Sequence, residues 1–354
     1  MKKLVYGTLA LSALVLGACG NSEANTSSSN SSKDSQSLIV STFGLNEDIV
    51  KKDIIQPFES ENDVKITLDI GNSSDRFTKM KSNPNSGIDA IELAQNNATQ
   101  GGQDGLFVEL TEKNVPNIAQ LTDNAKEVLK SGAGVPIAVN SIGIIYDEQK
   151  VGHKISDWSD LWAEDLKGKI AIPDISVTAG PLFLYVAGDH AGTPVVKDDG
   201  KAAFKTLEEL KPNIVKTYSK SSDLANMFQS GEVSVAVVAD FGVDMIKAST
   251  PTVEYVVPES GTYANFNTIN VPKTSKNQDL ALKFVNYRIS QESQKAKATS
   301  LNEAPTNKEV VLSEEESANK TYGEIAERAK PVDFTLINKQ MTSWVDQWNN
   351  LMNN

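Results

Sequence analysis

The chain is poor in the residues that most often carry chemistry. Its 354 residues include one cysteine and two histidines. A lone Cys19 cannot close an intrachain disulfide, so no covalent staple is expected to hold the fold. Only three arginines occur, Arg76, Arg288 and Arg328, which argues against bidentate arginine recognition of an anion. The formal charge is −12, and setting aside Lys2 and Lys3 leaves −14 over the remainder. Such an acidic chain is ill suited to gripping phosphate backbones, so nucleic acid is not an expected partner. The plain reading of the charge is solubility with weak self-repulsion. Enzyme motifs are missing as well. There is no G-x-S-x-G elbow, no H-E-x-x-H, no Walker loop and no G-x-G-x-x-G. The glycine-rich stretch Gly101–Gly105 follows no strand–turn–helix pattern and reads as a turn. His153 and His190 read as surface-loop residues, and the many carboxylates as solvated faces. No catalytic residue, cofactor or metal site is expected. Binding fits better than catalysis.

What the chain does have begins at its first residues. Lys2 and Lys3 precede an apolar run from Leu4 to Leu16, the layout of a secretory signal. The run is short for a membrane-spanning helix. It ends in Leu16-Gly17-Ala18-Cys19, which resembles the bacterial lipobox with Gly17 and Ala18 exchanged from the usual order. Residues 1–18 are therefore expected to be a lipoprotein signal peptide and Cys19 the lipidated residue. Residues 20–37 hold eight serines and almost nothing apolar, so 19–37 is read as a lipidated, flexible tether. Export follows, with anchoring to the outer face of the cell membrane, in the periplasmic space where a second membrane exists.

About 315 residues remain, more than one hydrophobic core usually serves, so two lobes are expected. Strands and helices alternate along them. Leu38–Phe43, Val64–Ile70 and Ile88–Leu93 read as strands, with helices over Ile49–Phe58 and Ser73–Lys81 between. The grammar repeats after residue 140. Strands are expected at Ile142–Tyr146, Lys169–Ile172 and Val233–Ala239, and helices at Trp158–Trp162 (capped by Ser156), Thr178–Gly188, Ala202–Leu210 and Asp240–Ala248. Asn277 reads as the cap of a helix carrying Leu280, Phe284, Val285 and Ile289. The chain closes with Ile337, Met341, Trp344, Val345, Trp348 and Met352 on one helical face. The fold class is α/β in two successive lobes.

Several segments carry a family resemblance when taken in order. They are Pro136–Asp147 (PIAVNSIGIIYD), Asp157–Asp174 (DWSDLWAEDLKGKIAIPD), Met227–Val238 (MFQSGEVSVAVV), Val256–Lys273 and Ala304–Asn307. Together they resemble the extracellular solute-binding proteins of bacterial ABC importers, of the spermidine/putrescine-binding type. The resemblance implies a two-lobe fold of the periplasmic-binding-protein type II class, with a ligand cleft between lobes. It implies crossings near Val139–Gly143 and Asn265–Thr268. Lobe 1 is then 38–140 plus 265–302, and lobe 2 is 141–264 plus 303–354. The partners implied are a small-molecule solute and the ABC permease subunits in the membrane, and the protein is expected to be a monomer.

Polyamine binders of this type hold ammonium groups with carboxylates and pack aromatic rings on the aliphatic chain. The present sequence departs at those places. Phe43-Gly44-Leu45-Asn46 stands for Trp-Thr-Glu-Tyr, Asn265-Phe266-Asn267 for Trp-x-Asp, and Ala239-Asp240 for Trp-Asn. Ile175 and Thr178 take the places of an acidic pair, which leaves Asp174. Asp240 and Asp174 are thus the carboxylates expected to face a cationic solute, and each also reads as a helix N-cap. The other candidate ligand residues are Phe43 and the neutral polar Asn96, Asn97, Asn140, Ser141, Ser176, Thr178, Ser221, Ser222, Asn265 and Asn267. Hydroxyls at helix N-termini can hold phosphate or carboxylate groups, or serve only as caps. A polyamine or related amine is therefore weighed against an anionic or zwitterionic solute such as a phosphonate, a phosphorylated metabolite or a thiamine-like molecule. A different class of function also stands: a surface lipoprotein for adhesion or sensing, with no transport role.

Overall fold

The computed structural model describes residues 36–44, 46–301 and 303–353. The expected signal peptide, Cys19 and all but the last two residues of the tether lie outside the described residues. Among the described residues ten strands occur: β1 (Gln36–Thr42), β2 (Val64–Ile70), β3 (Ala90–Ala94), β4 (Val135–Asp147), β5 (Ile170–Pro173), β6 (Ile214–Tyr218), β7 (Val235–Ala239), β8 (Val253–Val256), β9 (Thr262–Asn270) and β10 (Ala329–Lys330). Their hydrogen-bonded order is β2-β1-β3-β9-β4-β7-β5-β6, with β8 on β4 and β10 on β9. β1 pairs in parallel with both β2 and β3. β7, β5 and β6 form a second parallel set. Gln36 and Ser37 already belong to β1, opposite Val64 and Lys65. Backbone pairing does not need apolar side chains, so the strand starts inside the stretch read as tether.

Burial follows position in the sheet. β2 lies at an edge, and its sequence alternates, with Val64 and Ile66 buried and Lys65 and Thr67 outward. β3 and β7 lie inside and are covered on both faces, so AIELA and VAVVA are buried at every residue. β4 is the longest strand, thirteen residues, all buried. Its first half pairs β9, from Val135 opposite Ile269 to Ser141 opposite Ala264. Its second half pairs β7, from Ile142 opposite Ala239 to Tyr146 opposite Val235. One strand thus passes from one hydrophobic core into another. Leu38, Phe58, Ile91, Val139, Ala264, Phe266 and Phe284 belong to the first core. Ile142, Phe183, Leu207, Tyr263, Trp344 and Trp348 belong to the second. Val238, Phe228 and Ile246 pack on the other face of the second sheet. Ala304 sits in the first core, and Val310 and Leu312 pack on Ala298.

The four tryptophans behave as packing residues. Trp158, Trp344 and Trp348 are buried in the second core, with Trp162 packed at its margin. The Trp344 indole donates to the Asp199 carbonyl at 2.9 Å, and that of Trp158 to the Gly261 carbonyl at 2.8 Å. These two rings keep their polar edges satisfied, whereas the Trp348 Nε1 is buried without a hydrogen-bond partner.

Four local expectations are corrected. The helical turn Trp158–Trp162 is capped by Asp157 in a capping box with Asp160, not by Ser156. Asn277 makes no cap bond at Gln278–Arg288, because its amide reaches Ser37 and Asp89 instead. Gly101 and Gly102 lie within the helix Gln95–Gln103 rather than in a turn. A Cβ on Gly102 would lie 2.2 Å from the Gly132 carbonyl oxygen, and one on Gly101 would lie 2.3 Å from the Phe107 ring. Close packing explains these glycines. His190 is likewise not in a loop: it ends the helix Ala179–His190 and stacks on Trp162 with ring centroids 3.9 Å apart.

Candidate functional site

In parallel α/β sheets, ligands bind beyond the carboxyl ends of the strands, where loops turn into helices. Both strand sets place expected residues there. Phe43 follows β1, and Asn96 and Asn97 lie in the first turn of the helix that starts directly after β3. Asp174 follows β5, with Ser176 and Thr178 leading into the helix Ala179–His190. Ser221 and Ser222 open the helix Ser221–Ser230 after β6, and Asp240 follows β7. Asn140, Ser141, Asn265 and Asn267 lie on the strands that pass between the cores.

On the first side, Asn97 accepts from the Ser73 hydroxyl at 2.7 Å, and that hydroxyl in turn accepts from the Ala94 amide at 2.9 Å. Ser73 ties the starts of two helices together. Phe43 is half-buried because the Arg76 guanidinium lies 4.9 Å from its ring centroid. Arg76 is only 2% exposed, and it donates to the carbonyls of Gly71 (2.8 Å) and Glu92 (2.7 Å). Burial pulls its pKa down to about 10. Below it, Glu92 accepts from Arg288 Nε at 2.8 Å and from the Thr42 hydroxyl at 2.7 Å. Two of the three arginines are therefore committed to the first core.

On the second side, the Asp174 carboxylate accepts from the Ser176 amide at 2.9 Å and its hydroxyl at 2.5 Å. That is an Asx turn rather than an N-cap, since Thr178 occupies the cap position and its side chain makes no cap bond. Gly180 makes the turn possible, because a Cβ there would lie 2.2 Å from the Asp174 carbonyl oxygen. Lys220, not a serine, holds the cap position of Ser221–Ser230.

Asn140 and Asn265 are cross-strand partners on β4 and β9, and the Asn265 amide donates to Asn140 Oδ1 at 3.4 Å. Asn265 Oδ1 is buried without a hydrogen-bond partner. Asp240 is 3% exposed. Its Oδ2 accepts from the Thr321 amide (3.0 Å), the Thr321 hydroxyl (2.5 Å) and the Ser141 amide (3.4 Å), and its Oδ1 from the Phe241 amide (2.8 Å). Burial pushes this carboxyl up to about 7, and those donors offset the effect only in part. On the other face of β9, by strand alternation, Ala264 and Phe266 line two adjoining cavities of about 390 and 270 Å³.

Sequence reasoning passed over several residues at these strand ends. Phe241 is 40% exposed directly after Asp240, and Ile70 is 37% exposed at the end of β2. An aromatic placed just past an apolar strand was the available signal for Phe241. Ser73 had only its place at the start of an expected helix, and Thr321 had none, since it looks like any loop hydroxyl. Among the described residues no cluster of three potential metal ligands occurs, and no helix is long and apolar enough to cross a membrane.

Two cores joined by continuous strands, with polar loops at facing strand ends, define a two-lobe binding fold. The chain matches the bacterial extracellular solute-binding protein family over residues 53–324 and belongs to that family. It is 52% identical to an ABC transporter from Clostridium perfringens solved by crystallography, covering 89% of this chain and 99% of that one with a TM-score of 0.83. It is 25% identical to a spermidine/putrescine-binding periplasmic protein of Haemophilus influenzae, over 67% of this chain and 66% of that relative, just under two thirds of its length. A spermidine/putrescine ABC transporter substrate-binding protein from Streptococcus pneumoniae shares the fold at 18% identity, covering 90% of this chain and 97% of that one, with a TM-score of 0.73.

Proposed function

We propose that this protein captures a small solute between its lobes and delivers it to the permease of an ABC importer, held at the cell surface by a lipid on Cys19. The observation that carries the reading is the passage of β4 and β9 between two separate cores, which gives the lobes a shared axis to close about. The lobes divide near residues 140 and 264, and the chain returns to the second core at Phe334, after Ala329 has packed in the first. Binding, not catalysis, is the task of the cleft groups. They are Phe43, Asn96 and Asn97 from one lobe, Asp174, Ser176, Thr178, Ser221 and Ser222 from the other, and Asn140, Asn265 and Asn267 between them.

We read the solute as a polyamine or related amine. The similarity to polyamine-binding relatives supports this, and so does Asn265 Oδ1, a buried acceptor in want of a donor. A second reading, an anionic or zwitterionic solute, is favoured by the engagement of both expected carboxylates, Asp174 with Ser176 and Asp240 with Thr321. A thermal-shift screen with spermidine, putrescine, 2-aminoethylphosphonate, sugar phosphates and thiamine tests the function, since a solute bound only by the folded state raises the melting temperature. Isothermal titration of variants then separates the two readings. For an amine, Asp174→Asn weakens binding by roughly tenfold or more, as expected when a charge-assisted hydrogen bond is lost. For an anion, Ser176→Ala with Thr178→Val is the damaging pair, and Asp174→Asn leaves affinity unchanged or improves it. No stabilising solute in the screen would count against transport and for a surface lipoprotein without that role.

A further inference from the structure

Ser141, Asp240 and Thr321 come from three parts of the chain with different obligations. Ser141 is the residue of β4 at which its pairing passes from β9 to β7: Ser141 faces Ala264, and Ile142 faces Ala239. Asp240 directly follows the strand β7, whose last residue Ala239 pairs with Ile142. Thr321 lies on the return segment between Leu312, which packs on Ala298, and the helix Phe334–Asn353, which packs in the second core. All three are buried, with Ser141 at 0%, Thr321 at 1% and Asp240 at 3% exposure. The Thr321 hydroxyl lies 2.5 Å from Asp240 Oδ2 and 2.8 Å from the Ser141 hydroxyl, so it bridges the carboxylate and the crossing strand. The Thr321 amide adds a second donor to the same carboxylate oxygen. Tyr255 on β8 packs over Gly143 of β4, two residues beyond Ser141, where a Cβ would lie 2.6 Å from its ring.

We infer that Asp240, Ser141 and Thr321 form a clasp that fastens the return segment to the crossing strand and holds the unliganded hinge in one register. Without it, the return segment is tied to the crossing strands chiefly by the pairing of β10 with β9 at Thr262 and Tyr263, and the part around Thr321 is free to shift relative to β4 as the lobes rotate. With it, all three connections turn about one point. Asp240 is then a positioning residue at the hinge rather than a group that touches the solute. The inference rests on the reading that the two lobes move about β4 and β9, and its test uses no solute. A failed ligand screen would therefore leave it standing.

The test measures distances between spin labels on the full-length chain. The labels sit on cysteines replacing exposed Glu112 on the first lobe and Val215 on the second, with Cys19→Ser removing the native thiol. The clasped protein gives one narrow distribution. Thr321→Val, which keeps the shape but removes the hydroxyl, broadens it by roughly twofold or adds a second peak, and Thr321→Ser restores the narrow one. Asp240→Asn serves as an independent arm, with near-identical shape and no carboxylate charge, and should also broaden the distribution. Melting temperatures of the variants confirm that folded chains are compared. Distributions unchanged by both Thr321→Val and Asp240→Asn would overturn the clasp.

Discussion

Glu92 shows how a single side chain can be both costly and indispensable. Burial alone would raise its pKa, but Arg288 foremost, then Lys297 and the Thr42 hydroxyl, outweigh burial and hold the carboxyl at about 2. A carboxylate depressed in the fold contributes stability above its unfolded pKa and loses it as pH falls toward the folded one. Acid should therefore destabilise the protein progressively between about pH 4.5 and pH 2 through this group. Asp240 works in the opposite sense. Its folded pKa of about 7 lies above the ordinary 3.8, so the native state holds the proton more tightly and stability falls as pH rises through that window. Tyr255 lies near it, and Lys320 adds a neighbouring positive charge. Urea unfolding across this pH range should show the downward slope in the native protein and lose it in Asp240→Asn; parallel curves for the two would contradict it. Arg288→Met leaves Glu92 buried without its main partner and should cost about 3–5 kcal/mol. A loss below about 1 kcal/mol in the same unfolding measurement would mean that Glu92 does not depend on that arginine.

At the scale of elements, the loops depend on bare backbone as much as on side chains. Gly180→Ala would push a methyl group against the Asp174 carbonyl and should destabilise the fold by about 1–3 kcal/mol, with solute affinity falling as the Asp174–Ser176 turn shifts. Circular-dichroism melts and titration check this, and an unchanged melting temperature would show that the turn relaxes freely. Most elements were legible in the sequence. Val64–Ile70 declares itself by alternation, and the final helix by Ile337, Trp344 and Trp348, because one face of each meets a core. β6 was missed, since IVKTY is half exposed and carries two polar residues, and it is held by pairing to β5 rather than by burial. The helix Gln95–Gln103 was hidden by its glycines, whose reason lies in Gly132 and Phe107, residues that only the tertiary fold brings near. The site was legible as a set of strand ends. Which of its carboxylates remains free depends on Thr321, eighty-one residues from Asp240, and no local pattern reports that.

For the whole molecule, the tryptophans and the N-terminus give separate tests. All four tryptophans pack in or against the second core, so solute should change their emission only slightly. A strong quench would place one of them against the solute. Trp344→Ala should cost about 3–5 kcal/mol of stability in urea unfolding, and a loss well under that would mean that the ring is not a structural anchor. Cys19→Ser should release the protein into the medium or leave it unprocessed, and a normally processed, lipid-labelled product would exclude the lipobox. The central claim is that two lobes close on a small solute. Small-angle X-ray scattering of the protein with and without saturating spermidine, putrescine or 2-aminoethylphosphonate tests it most directly. The account predicts that the radius of gyration falls with the solute that raises the melting temperature and stays constant with the others. An unchanged radius with a solute that binds tightly would contradict it.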